Sequence, residues 1–100
     1  MTESTELLHA KLNAETGRLR WPELQRHFAR GALLKVAPGL DLVEVAVAVA
    51  RDDQAAVAGW LGSGGLSRAS DDDARDWLVR DPVFWAVVAA PWVLIQEAAD

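Results

Sequence analysis

Cysteine is absent from the 100-residue chain, which excludes disulfides, thiolate metal sites and cysteine nucleophiles together. Histidine is scarce. His9 and His27 are the two present, and they fall on separate expected helices, whereas a metal site takes three or four protein ligands. Long apolar runs are missing as well. The uncharged stretch from Val83 to Gln96 has 14 residues and carries Pro91, while a membrane-spanning helix needs about 20 apolar residues. No basic and then apolar leader is visible either, because the opening "MTESTELLHAKL" is polar and acidic, so the expected setting is cytoplasmic.

What is present describes an ordered globular chain. With 51% hydrophobic and 25% charged residues, the composition supports a packed core, and the length predicts one domain over residues 1–100. The run "VFWAVVAAPWVLIQ" is rich in valine, isoleucine and aromatics, which favours buried strand over helix. Pro91 cannot donate to a ladder, so it implies an edge, a bulge or a break, and the run divides into strands near 84–89 and 92–97. "ALLKVA", near 32–37, reads as a third strand followed by the turn "PGLD", with the C-terminal run as its sheet partner.

Helices account for most of the remainder. Ser4 caps a first helix carrying Leu7, Leu8 and Leu12 on one side, and Gly17 is the expected left-handed residue that closes it. Pro22 occupies a favoured first helical position, Trp21, Leu24 and Phe28 align on one stripe, and Gly31 ends that helix. Residues 42–50 are ambiguous. Val43, Val45, Val47 and Val49 alternate as in a strand, but their neighbours are Glu44 and alanines, and Asp41 followed by Glu44 resembles a helix cap. A helical hairpin is the reading adopted, turning at Asp52 and Asp53 into a helix with Val57, Trp60 and Leu61 inward. A further helix begins at Ser70, with Asp71, Asp72 and Asp73 complementing its dipole, Trp77 and Leu78 supplying apolar contact and Pro82 preventing continuation. The expected class is α+β, helix-dominated, with a small sheet.

The segments "AKLNAETGRLRWPELQRHFARGAL", "LDLVEVAVAVARDD" with "VAGWL", and "FWAVVAAPWVLIQE" together resemble the small bacterial proteins grouped as domain of unknown function 2288. The resemblance runs from about Leu8 to Glu97, and "PWVLIQE" is its most distinctive part. It implies no activity and carries over no catalytic or binding residue.

Chemistry is therefore sought in the residues themselves. "LGSGGL" is glycine-rich, but it lacks the Lys and Ser/Thr of a phosphate loop, follows a helix, and precedes three aspartates that repel phosphate, so it reads as a helix end and loop. Asp71, Asp72 and Asp73 lack the alternating spacing and glycine of a calcium loop. Glu23 and His27, four apart, share a helix face and read as an exposed ion pair, or as the start of a hydrolase or metal site that the sequence does not complete. Ser63, Ser67 and Ser70 sit in loop or cap contexts without a nucleophile elbow. No catalytic, cofactor or metal residue is expected.

Charge and tryptophan are the remaining signals. Residues 1–35 hold six basic and four acidic side chains, net +2, against four and eleven, net −7, in residues 36–100. Arg18, Arg20, Arg26 and Arg30, with Lys35 and nearby Trp21 and Phe28, outline a nucleic-acid surface, although a pI of 4.9 argues against strong phosphate binding. The same asymmetry suits electrostatically oriented self-association. Five tryptophans are many for this length, and one left at the surface anchors partners well. Trp85 and Trp92, on strands near an expected sheet edge, are the candidates. The function expected from sequence is a non-catalytic interaction domain forming a homodimer, with nucleic-acid binding as the alternative.

Overall fold

Side-chain caps decide where the helices begin. The computed structural model, which describes residues 4–98, runs α1 (Thr5–Glu15), β1 (Gly17–Arg20), α2 (Trp21–Ala29), β2 (Leu33–Val36), α3 (Leu42–Ala50), α4 (Gln54–Ser63), β3 (Leu66–Arg68), α5 (Asp71–Arg80), β4 (Val83–Ala89) and β5 (Trp92–Glu97). Ser4 Oγ accepts from the Leu7 N–H at 3.1 Å, starting α1. Asp41 accepts from Val43 and Glu44, which settles residues 42–50 as helix. Ser70 and Asp73 cap reciprocally, each side chain accepting from the other's backbone N–H. The α+β class expected from the sequence is what forms.

One mixed sheet organises the molecule, in the order β1-β4-β5-β2-β3. β4 and β5 form an antiparallel hairpin through Ala90 and Pro91, β1 joins β4 antiparallel, and β3 joins β2 antiparallel. Between the two halves, β2 and β5 run parallel, with Leu34 beside Leu94. The break implied by Pro91 is this hairpin turn.

Side-chain alternation gives the central strands β2, β4 and β5 two buried faces. One face presents Leu34, Val36, Leu66, Val87, Ala89 and Leu94 to Leu12 of α1 and to α3, with Val57 and Trp60 of α4 packed behind. The other presents Leu33, Phe84, Ala86, Val93 and Ile95 to Trp21 and Leu24 of α2 and Trp77 of α5. The sheet is therefore covered by helices on both sides. Enclosure by α1, α4 and the sheet explains the α3 sequence, since Leu42, Val43, Val45, Ala46, Val47 and Ala48 are all buried and leave a helix apolar nearly all round.

Several expectations need correction. Gly17 does not close α1 in a left-handed turn; it opens β1, and α1 stops at Thr16, whose hydroxyl donates to the Leu12 carbonyl at 2.8 Å. The left-handed glycines are Gly31 and Gly64, which end α2 and α4. Leu61 is 55% exposed and Leu78 is 69% exposed, because each lies about 100° round its helix from the inward tryptophan before it. β1 and β3 were not foreseen.

Aromatic contacts tie α2, α5 and β4 together. Trp77 lies with its ring centre 5.5 Å from Trp21 and 5.0 Å from Phe84, and Trp21 meets Phe28 edge-on at 5.4 Å. Trp77→Ala is expected to cost about 3–5 kcal/mol, read as a lower midpoint in urea denaturation, whereas Val79→Ala at the exposed outer side of α5 is expected to change stability by about 0.5 kcal/mol or less.

Candidate functional site

The structure distributes the expected site residues rather than gathering them. Trp85 and Trp92 are half-buried, and their strands β4 and β5 lie inside the sheet, whose edges are β1 and β3. Both side chains pack against the core beneath α1, α3 and α4. A cation covers each one: the Arg18 guanidinium stands 4.7 Å from the Trp85 ring centre, and Arg68 stands 5.2 Å from that of Trp92. Neither residue lies on an edge strand, so the expected edge position is corrected.

The four arginines do not converge on one surface. Arg18 lies over Trp85 on the α1 and α3 side of the sheet, whereas Arg26 and Arg30 belong to α2 on the opposite side. Arg20 forms an ion pair with Asp81 at 2.6 Å. Glu23 and His27 do not pair either. Glu23 accepts from the Arg20 backbone N–H at 3.2 Å, and His27 Nδ1 lies 2.9 Å from Arg30 Nη2. The N-terminal cap of α2 thus takes the carboxylate that the sequence offered to the histidine.

The other carboxylates and hydroxyls have structural duties. Asp73 meets Lys35 at 2.8 Å as well as capping α5, and Asp72 pairs with Arg75. Burial works to raise the Asp73 carboxyl, but the Lys35 ammonium and the Ser70 N–H and hydroxyl outweigh it and hold the group below the usual carboxylate range. Ser63 donates to the Trp60 carbonyl, and Ser70 caps α5. Among the described residues no group of three His, Cys, Asp or Glu side chains gathers around a metal position.

A different surface stands open, at the end of β4. The register pairs Gly17 with Ala86, so β1 stops there and no strand lies against Val87, Val88 and Ala89 on that side. α2 is nine residues long and covers Phe84 and Ile95 with Trp21 and Leu24, leaving Val88 57% exposed. A groove of about 190 Å³ follows, with Leu19, Ala86, Val88 and Val93 as its apolar lining, Glu15 on one side and His27 on the other.

The two sides of this groove differ in charge. Glu15 ends α1, whereas His27 shares α2 with Arg26 and Arg30. Desolvation, then the charges of Arg30 and Arg26, hold the imidazole below its ordinary pKa, so it is neutral at pH 7. Because Arg30 donates to Nδ1, the neutral ring carries its proton on Nε2 as a donor. The sequence did hold part of this signal. In "FWAVVAA" Val88 has the parity of buried Phe84 and Ala86, so it reads as core, and only the short reach of β1 and α2 exposes it.

These features define a small α+β domain with one uncovered sheet end. Residues 7–97 match the family described as protein of unknown function (DUF2288), and the chain belongs to that family. It is similar to the protein PA1075 from Pseudomonas aeruginosa, whose NMR solution structure aligns with a TM-score of 0.83 at 60% identity, over 100% of this chain and 93% of that one. No curated protein matches the chain. The family resemblance expected from the sequence therefore holds, and with it comes no assigned activity. Among the described residues no helix is long and apolar enough to cross a membrane.

The His27 environment has a direct readout. Its ring protons, followed by NMR against pH, are expected to titrate below the midpoint of a free imidazole, and Arg30→Ala is expected to raise that midpoint by removing a positive charge.

Proposed function

We propose that the protein is a non-catalytic association domain of the cytoplasm that forms a homodimer through the end of β4. The observation that carries this reading is Val88, an apolar side chain 57% exposed beside an unpaired stretch of strand. A two-fold axis near Val88 brings two such patches together, and it also sets Glu15 of one copy toward the cationic side of α2 in the other. The surface is self-complementary in shape of charge, as an isologous contact requires. Apolar burial at about 25 cal/mol per Å² supplies the affinity, and the charges set the orientation.

This places the contact away from Trp85 and Trp92, which the fold uses internally. Nucleic-acid binding through Arg18, Arg20, Arg26 and Arg30 gains no support from the geometry, since the sheet separates Arg18 from the α2 pair and Arg20 is held by Asp81.

Light scattering at low and high salt tests the proposal. The expected result is a dimer at both, because an apolar contact survives screening, with Val88→Lys giving a monomer of unchanged circular dichroism. A wild-type monomer at both salts overturns it.

A further inference from the structure

At the opposite end of the β4–β5 hairpin lies a second recess with a different chemistry. β2 and β5 are the parallel neighbours in the sheet, and they finish side by side at Val36 and Glu97. In open sheets the carboxyl ends of parallel strands are a recurrent place for ligands. Here a cleft of about 270 Å³ opens between those ends and α5. Its floor is Trp77, Phe84 and Ile95, and its polar rim is Lys35, Ser67 and Glu97.

One face of α5 organises that rim. Asp73, Trp77 and Arg80 fall at i, i+4 and i+7, which stacks them on a single side of the helix. Asp73 holds Lys35 at 2.8 Å, Trp77 supplies the floor, and Arg80 grips Glu97 with two bonds of 3.0 Å. The charges facing the cleft are thus fixed in place but not exhausted. An ammonium has three N–H donors and Asp73 takes one, while each Glu97 oxygen accepts from Arg80 with one lone pair and has a second to offer. Ser67 lies directly across the β2–β3 ladder from Lys35, on the same face of the sheet. The lip is held by Gln96, whose Nε2 donates to the Ala37 and Leu40 carbonyls at 2.8 and 2.7 Å.

We infer that this cleft binds a small zwitterion with an apolar body, an α-amino acid with an aromatic or branched aliphatic side chain. Its carboxylate meets Lys35 and the Ser67 hydroxyl, its ammonium meets Glu97, and its side chain lies on Trp77, Phe84 and Ile95. The pairing of opposite charges on the rim selects this class. Both charges are already neutralised, Glu97 by Arg80 and Lys35 by Asp73, so selection rests on the hydrogen-bonding capacity left over. A simple anion uses the free donors of Lys35 but leaves the spare lone pairs of Glu97 unmet, and a simple cation does the converse. The volume is just under the roughly 300 Å³ at which small-molecule pockets begin, which suits a ligand the size of an amino acid.

Calorimetric titration with L-phenylalanine, 3-phenylpropanoate and phenethylamine separates the possibilities on the intact protein. Saturable binding of phenylalanine is expected, with each singly charged analogue weaker by about tenfold or more, the fold-change expected for losing one charge-assisted hydrogen bond. Lys35→Met is expected to abolish the preference for phenylalanine over phenethylamine, and Glu97→Gln the preference for phenylalanine over 3-phenylpropanoate. Each variant leaves the other rim charge in place, and circular dichroism confirms its fold. Equal binding of all three compounds, or no saturable heat with phenylalanine at millimolar concentration, overturns the inference.

Discussion

The β4–β5 hairpin is apolar on both faces, and this constraint governs the rest of the molecule. Phe84, Ala86, Val93 and Ile95 point one way, and Val87, Ala89 and Leu94 point the other, so neither face can be left to water. Two helical layers follow by necessity. α3, itself apolar nearly all round, fills the first with α1 and α4 outside it; α2 and α5 fill the second through the Trp21, Trp77 and Phe84 contacts. Where the second layer runs short, at Val88, apolar surface remains. The open groove is thus a by-product of a strand longer than its cover.

The polar groups obey the same constraint from outside. Among the described residues no buried side chain is polar or charged, and the ion pairs lie on the periphery: Arg20 with Asp81, Lys35 with Asp73, and Arg80 with Asp76 and Glu97. Exposed pairs of this kind contribute little stability individually. Their value here is positional, because α5 spans β2 and β5 and fixes a charge on each. A helix that the sequence presents as an acidic, well-capped element is in the structure the support of a charged rim.

Elements with a strong local signal were legible in the sequence. The hairpin strands, β2 and its pairing with the C-terminal run, the caps at Ser4, Asp41 and Ser70, and the closure at Gly31 all follow from side-chain chemistry within a few residues. β1 and β3 were not legible, since "GRLR" and "LSR" are short, partly charged, and become strands only by pairing with β4 and β2. Tertiary context also decided the candidate sites. Trp85 and Trp92 look like surface anchors only if their strands are peripheral; β5 is internal because β2 lies beside it, and β4 becomes internal through β1, the strand the sequence did not reveal. Arg18 and Arg26 are close in sequence yet separated by the sheet, which no helical or strand period reveals.

Strand order also bears on synthesis. β1 with β4, and β2 with β3, form two half-sheets that touch through β5 alone, and β5 is the last of these elements to be made. On the ribosome, α3 and the β2–β3 pair therefore wait, with Leu33, Leu34 and Lys35 of β2 lacking their β5 neighbours, until residues 92–97 leave the exit tunnel. Joining sequence-distant strands carries a loop-closure cost before it yields contacts, so folding is set by the arrival of this last segment and not by the helices that precede it. A nascent chain stalled before Trp92 leaves the β4 and β2 edges that β5 would join both unpaired, and open strand edges are prone to pair with the wrong neighbour.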